Sequence, residues 1–270
     1  MTSRGGYLLA GQPSELAPLQ LQSRVWEPAG RALLGQLGGG DGLSALDVGC
    51  GCFGWLRILS AWVGPHGAVT GTDVDDTLLE AAQTLLREGD LSNVTLAHDD
   101  LFDSRLEAGS FDLVHARFEL APLGRAAAQL AAYLRLAKPG GRLILEDPDC
   151  GSWHFNPPAP AAERLIGLVA DAFLATGGDL SAGRRGAALL RGAGLEPEVR
   201  AAVYALPPGH PYLRLPLQFS AALEPRLLRL VAREELAELR RRAEVEIAQP
   251  GRWGTTFTLI QTWATMRPGS

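Results

Sequence analysis

At 270 residues and 46% hydrophobic content, the chain has material for one sizeable α/β domain, or for a core domain with an inserted cap, but not for two large ones. A net charge of -5 and a pI near 5.6 supply no basic field for a phosphate backbone, which argues against DNA or bulk RNA as a substrate. Cys50, Cys52 and Cys150 are too few for a disulfide framework and suit a reduced cytoplasmic setting; the first ten residues lack the regions of a signal peptide, and no apolar run reaches the ~18 residues of a membrane span.

In chain order, Leu16, Leu19, Val25, Leu33, Leu34 and Leu37 recur at near-helical intervals, and Pro18 and Pro28 interrupt them, which predicts two or three short helices between Pro13 and Leu37. Gly38 to Gly42 is a link. A first apolar strand follows (Leu43, Ala45, Leu46, Val48), carrying Asp47, and then Gly49, Gly51 and Gly54 open onto the helical pattern from Trp55 to Leu59. A glycine turn between strand and helix brings backbone amides close to a ligand at a helix N-terminus, so this stretch reads as a cofactor cradle.

Gly49-Cys50-Gly51-Cys52-Phe53-Gly54 also fits the Gly-x-Gly-x-x-Gly dinucleotide fingerprint. Asp47, two residues before the first glycine, is repulsive to a pyrophosphate and suits a ligand that carries an ammonium and a sulfonium. A second strand, Ala68 to Thr72, ends at Asp73, 22 residues after Gly51, where an acid can accept hydrogen bonds from two ribose hydroxyls of either kind of nucleoside cofactor.

A helix from Asp75 to Gly89 and a third strand, Asn93 to Ala97, lead to His98-Asp99-Asp100-Leu101. Phe111 to Arg117 gives a fourth strand, Leu123 to Ala137 a helix, and Lys138-Pro139-Gly140-Gly141 a turn into a fifth strand that runs to Asp147. Helices are expected over Pro160 to Ala175 and Gly183 to Gly192, a strand over Val199 to Leu206, an amphipathic helix over Arg233 to Ala248, and a last strand over Gly254 to Met266.

The Asp-x-Gly-x-Gly of residues 47–51 and the helix, Lys-Pro-Gly-Gly turn and strand of residues 123–147 resemble class I S-adenosylmethionine-dependent methyltransferases of small-molecule type. The resemblance spans Leu43 to Asp147; that family's third glycine is replaced by Phe53, and the glycine comes one residue late. It implies a Rossmann-like, seven-stranded, mostly parallel sheet with an antiparallel last strand, helices on both faces, an N-terminal helical lid (1–40), a core (41–206), a helical cap insertion (207–250) and the last core strand (251–270).

Carried over residue by residue, the resemblance implies S-adenosylmethionine held by Asp47, Gly49, Cys50, Gly51, Asp73, Val74, Asp99, Asp100, Leu101 and Arg117, with Asp100 by register, or Asp99 one step out, on the adenine amine. Tyr7, Gln22, Arg24 and Trp26 would lie on the lid near the site, although Trp26 serves equally well as a packing residue. Trp26, Phe118, Glu119, Trp153 and His210 are the expected substrate contacts, and the aromatic side chains, with Phe155 and Tyr212, suit an apolar or planar small molecule.

Methyl transfer from a sulfonium is an in-line displacement, so no metal is expected, and Cys50-x-Cys52 lacks a second pair at zinc-like spacing. Where the acceptor must lose a proton, His154 is the first candidate base, ahead of His115 and His210; His66 sits on the far turn. Two other readings stay open: a protein that binds S-adenosylmethionine without methylating, and an NAD-dependent oxidoreductase.

Overall fold

The computed structural model describes residues 16–267; Tyr7 and the start of the expected lid lie outside them. The first element is a single helix, α1 (Leu16–Leu37), where the sequence predicts two or three, with Pro28 inside it. Pro18 falls in the first turn, where a missing N–H costs nothing. Pro28 removes a mid-helix hydrogen bond, at a cost of about 3 kcal/mol. Burial of Trp26, Ala29, Leu33 and Leu34, spaced three and four apart along one face, offsets that cost and keeps the helix continuous.

Five strands follow, separated by helices except between β3 and β4: β1 (Ser44–Val48), α2 (Leu56–Val63), β2 (Ala68–Asp73), α3 (Asp76–Glu88), β3 (Val94–His98), β4 (Phe111–Arg117), α4 (Leu120–Leu123), α5 (Ala126–Leu136) and β5 (Ala137–Asp149). The predicted helix over Leu123 to Ala137 is α5, which begins at Ala126 because Gly124 and Arg125 both adopt positive φ and separate it from the short α4. The predicted turn at Lys138 to Gly141 belongs to β5, as a register irregularity opposite Phe111 and Leu113. Lys138 anchors it by an ion pair to Asp112 at 2.8 Å.

The second half contains β6 (Phe155–Asn156), α6 (Pro160–Leu174), α7 (Gly186–Gly192), β7 (Glu198–Ala202), β8 (Ala205–Leu206), α8 (Leu215–Ala222), α9 (Glu224–Leu227), α10 (Arg233–Ile247), β9 (Trp253–Thr255) and β10 (Thr258–Thr265). The main sheet has the order β3-β2-β1-β4-β5-β10-β7, and β10 runs antiparallel to both of its neighbours. Each of the two late strands expected from sequence is broken. Their far pieces, β8 and β9, join β6 in a small separate sheet, and Tyr204 and Thr256 bond to each other at the break through N–H to carbonyl (3.0 Å) and N–H to hydroxyl (3.1 Å) contacts.

Alternation along the strands sends Ala45, Leu113 and Ile144 to one face, against α1 and α2, and Leu46, Val114, Leu143 and Leu145 to the other, against α5. A third apolar cluster gathers α6, α8 and α10 with Trp26 of α1 and Trp153, so α6 packs with the cap helices. That cluster sits over the carboxyl ends of β1, β4 and β5, where ligands bind in open α/β sheets.

Candidate active site

Between the sheet's carboxyl edge and the cap lies a cavity of about 390 Å³. Its floor is the glycine turn after β1, where Gly49, Cys50, Gly51 and Cys52 reach the wall. Gly51 has φ +58°, and no atom lies within 4 Å of the place its Cβ would occupy, so its backbone is open to a ligand. Gly49 has φ +61°, and a Cβ there would overlap the carboxylate of Glu119.

Asp73 closes β2 beside this turn and lines the cavity. Its two oxygens accept from the backbone N–H of Gly51 and of Asp75, both at 2.9 Å, which ties the second strand to the glycine turn. Burial pushes the Asp73 carboxyl above its ordinary value, against the pull of those N–H donors.

Asp47 also reaches the cavity, but both of its oxygens are engaged within the protein. Oδ2 accepts from the Trp55 N–H at 2.9 Å, at the start of α2, and Oδ1 lies 2.7 Å from Nδ1 of His115. His115 is fully buried on β4, stacked on Trp55 at 3.8 Å, with Nε2 3.3 Å from Glu146 on β5. Burial pushes the imidazole pKa down, but the two carboxylates outweigh it and raise it, which favours the protonated ring bridging two acids. A ring that donates from both nitrogens cannot serve as a base, which removes His115 from the candidates.

Phe118 ends β4 with φ +61°, a strained turn for a side chain of this size. This turn brings the next side chain, Glu119, over Gly49, with both Phe118 and Glu119 on the cavity wall. Glu119 is 8% exposed, and burial together with Asp73, Asp147 and Asp47 holds its carboxyl well above the usual range. Arg117 lines the cavity too; one guanidinium nitrogen is buried without a partner among the described residues and the other reaches Ser23 of α1 at 3.5 Å.

Several expected residues lie elsewhere. Asp99 and Asp100 stay outside the cavity on the turn after β3, because each spends an oxygen on its own backbone, accepting from the N–H of Arg105 (3.0 Å) and of Phe102 (2.9 Å). Leu101 belongs to that same turn, and Val74 is 51% exposed. Of the acids expected to hold the cofactor, Asp47 and Asp73 line the cavity, joined by Glu119.

His154 is exposed and outside the cavity, its Nε2 3.0 Å from the Gly151 carbonyl, so the expected base does not face the site. His210 caps a short turn, accepting from the Tyr212 N–H at 3.2 Å, and it also lies off the cavity. Trp26 is wholly buried, with its indole N–H donating to the Tyr212 hydroxyl at 3.1 Å, and is a packing residue. Trp153 does line the cavity, whereas Phe155 is buried in the core beside it.

Residues that the sequence did not single out complete the walls: Pro18 and Leu19 of α1, and Leu215, Gln218 and Phe219 of α8, along with Phe257 from the break between β9 and β10. Gln22 of α1, expected on the lid, is on the wall as well. Among the described residues, no cluster of three or more His, Cys, Asp or Glu could hold a metal, and no helix is long and apolar enough to cross a membrane.

The family described as Methyltransferase domain matches residues 45–141, from β1 through the Lys-Pro-Gly-Gly segment. Over that segment the chain is similar to a methyltransferase domain. The chain is 34% identical over 123 residues to demethylmenaquinone methyltransferase of Staphylococcus aureus, a match covering 46% of this chain and 49% of that relative. The chain thus spans about half the length of the curated relatives it matches.

Two solved structures share the fold. A SAM-dependent methyltransferase from Aquifex aeolicus aligns with TM-score 0.55 at 22% identity, covering 72% of this chain and 93% of that one. A phosphoethanolamine N-methyltransferase 2 of Haemonchus contortus, in complex with S-adenosyl-L-methionine, aligns with TM-score 0.51 at 18% identity, covering 88% and 52%. The domain match assigns the glycine turn to the methyltransferase fold and sets the oxidoreductase reading aside.

The buried acids of this domain fix the sign of its pH response. Burial raises Asp147 from its ordinary 3.8 to about 8, and Glu119 and His115 are raised as well. Groups bound to a proton more tightly when folded stabilise below their unfolded pKa and lose that contribution as pH rises through the folded value. Melting temperature is expected to fall steadily from pH 5 to pH 8.5, as read by circular dichroism; a rise over that interval would refute the assignment.

Proposed function

We propose that this protein transfers a methyl group from S-adenosylmethionine to an apolar small molecule in the cavity under the cap. The supporting observation is one cavity with two unlike ends. At one end, Gly51 is open beside Asp73, with Glu119 close by; at the other stand Trp153, Phe173, Leu215, Phe219 and Phe257. An acidic end suits a cationic cofactor, and the apolar end suits a planar or hydrocarbon-rich acceptor.

The cofactor, when bound, supplies a methyl group already activated by its sulfonium. The residues of this chain hold and orient. Gly49 to Gly51 offer backbone to it, and Asp73, fixed by two N–H donors, is placed for a ribose. Gln22 and Leu19 of α1 and Phe219 of α8 line the cavity from the lid and cap sides, where they would orient the acceptor toward the cofactor. In the cap wall, Gln218 keeps a buried carbonyl oxygen without a partner among the described residues, ready to accept from a polar group on the acceptor.

Incubation with labelled S-adenosylmethionine and fractionated metabolite extract should put label into an apolar fraction. Tight cofactor binding with no transfer would favour a binding protein that does not methylate. Asp73→Ala should weaken S-adenosylhomocysteine by about 1–3 kcal/mol in calorimetry, the cost of leaving a hydrogen-bonding partner unsatisfied.

A further inference from the structure

From sequence, Asp47 is the acid that suits a ligand carrying an ammonium and a sulfonium. In the folded chain Asp47 is already committed: one oxygen takes the Trp55 N–H, the other faces the His115 cation, and its charge is balanced before any ligand arrives. Asp73 is committed as well, to two backbone N–H groups.

Glu119 differs from both. It is 8% exposed, it lines the cavity, and no donor among the described residues hydrogen-bonds its carboxylate. Its oxygen sits over Gly49, so close that only a residue without a Cβ fits beneath it. Asp73, Asp147 and Asp47 surround it, and their repulsion adds to the burial that disfavours its charged form. An acid in such surroundings gains most from a cation brought into contact with it.

We infer that Glu119, held over Gly49 by the strained turn at Phe118, is the anchor for the ammonium group of the cofactor's amino-acid end. This rests on the cofactor reading above, and it reassigns Glu119 from the acceptor to the cofactor. The strain stored at Phe118 then has a purpose, since a relaxed turn would carry the carboxylate off the glycine.

The test uses calorimetry with two probes. S-adenosylhomocysteine carries the ammonium; 5′-methylthioadenosine has the same nucleoside and no amino-acid end. Glu119→Gln should bind the first about 10- to 100-fold more weakly than the wild type, the range for a charge-assisted hydrogen bond, and the second equally well. Melting of the free variant should be no lower than wild type, because a buried unpaired acid has been removed. Equal affinity of variant and wild type for S-adenosylhomocysteine would overturn the inference, as would equal weakening of both probes. A wild-type protein that binds neither probe would instead reject the cofactor reading itself, and the inference with it.

Discussion

His115→Ala is expected to lower the free energy of unfolding by about 3–5 kcal/mol, the usual cost of stripping one partner from a buried ion pair. The histidine lies between Asp47 and Glu146, both all but sealed from solvent, and it is stacked on Trp55. Without it, two carboxylates lose their cation, and Glu146 retains the Gln261 amide as its remaining side-chain donor. Urea denaturation at pH 7 measures the loss. His115→Gln separates charge from volume: it keeps a donor and most of the bulk, so a loss nearly as large as that of alanine would show that the charge dominates. A loss under about 1 kcal/mol in the alanine variant would mean that the ring is neutral and the bridge absent, since exposed or unbridged pairs contribute in that range.

The effect should reach the cofactor as well. Asp47 links β1 to the first turn of α2 through the Trp55 N–H, and the glycine turn spans that link. When His115 is gone, Asp47 is free to move away from a repelling neighbour, and the turn loosens with it.

How much of this was legible in the sequence depends on whether the signal was local. The strand-turn-helix around Gly49 to Gly54 and the acid at Asp73 stand out because the chemistry sits within one short segment or at the end of an alternating apolar run, and both line the cavity. The continuity of α1 was not legible, because it is decided by burial of Trp26, Ala29, Leu33 and Leu34 against distant elements. Asp99 and Asp100 looked like ligands by register, yet their nearest donors are the amides of their own turn. His154 follows β5 as expected, but the short turn at Cys150 to Ser152 rotates it outward while leaving Trp153 facing in.

Glu119 and His115 were named from the sequence, but in other roles. The position of the first depends on a left-handed backbone at Phe118, and phenylalanine gives no hint of that. His115 did carry a signal: it lies mid-strand between Val114 and Ala116 in a run buried on both faces, where a titratable ring needs charged partners.

Gly51→Val is expected to abolish measurable cofactor binding while leaving a folded protein. Gly51 lines the cavity with φ +58°, and among the described residues nothing lies within 4 Å of the place a Cβ would take, so an added side chain has open space on the cavity floor to enter. A β-branched residue at that φ costs roughly 1–3 kcal/mol of backbone strain, a loss that a domain with this much core can absorb. Affinity suffers far more, because the isopropyl group takes volume that no rearrangement of a packed floor can return, and the Gly51 N–H that ties Asp73 in place shifts with it. Gly51→Ala adds one methyl at the same φ and should give an intermediate loss. A graded series in calorimetry with S-adenosylhomocysteine, weaker from glycine to alanine to valine with cooperative melting retained, is the expected result. If valine bound as tightly as glycine, the open backbone at Gly51 would not face the cofactor, and the cradle would have to be sought elsewhere on the cavity wall.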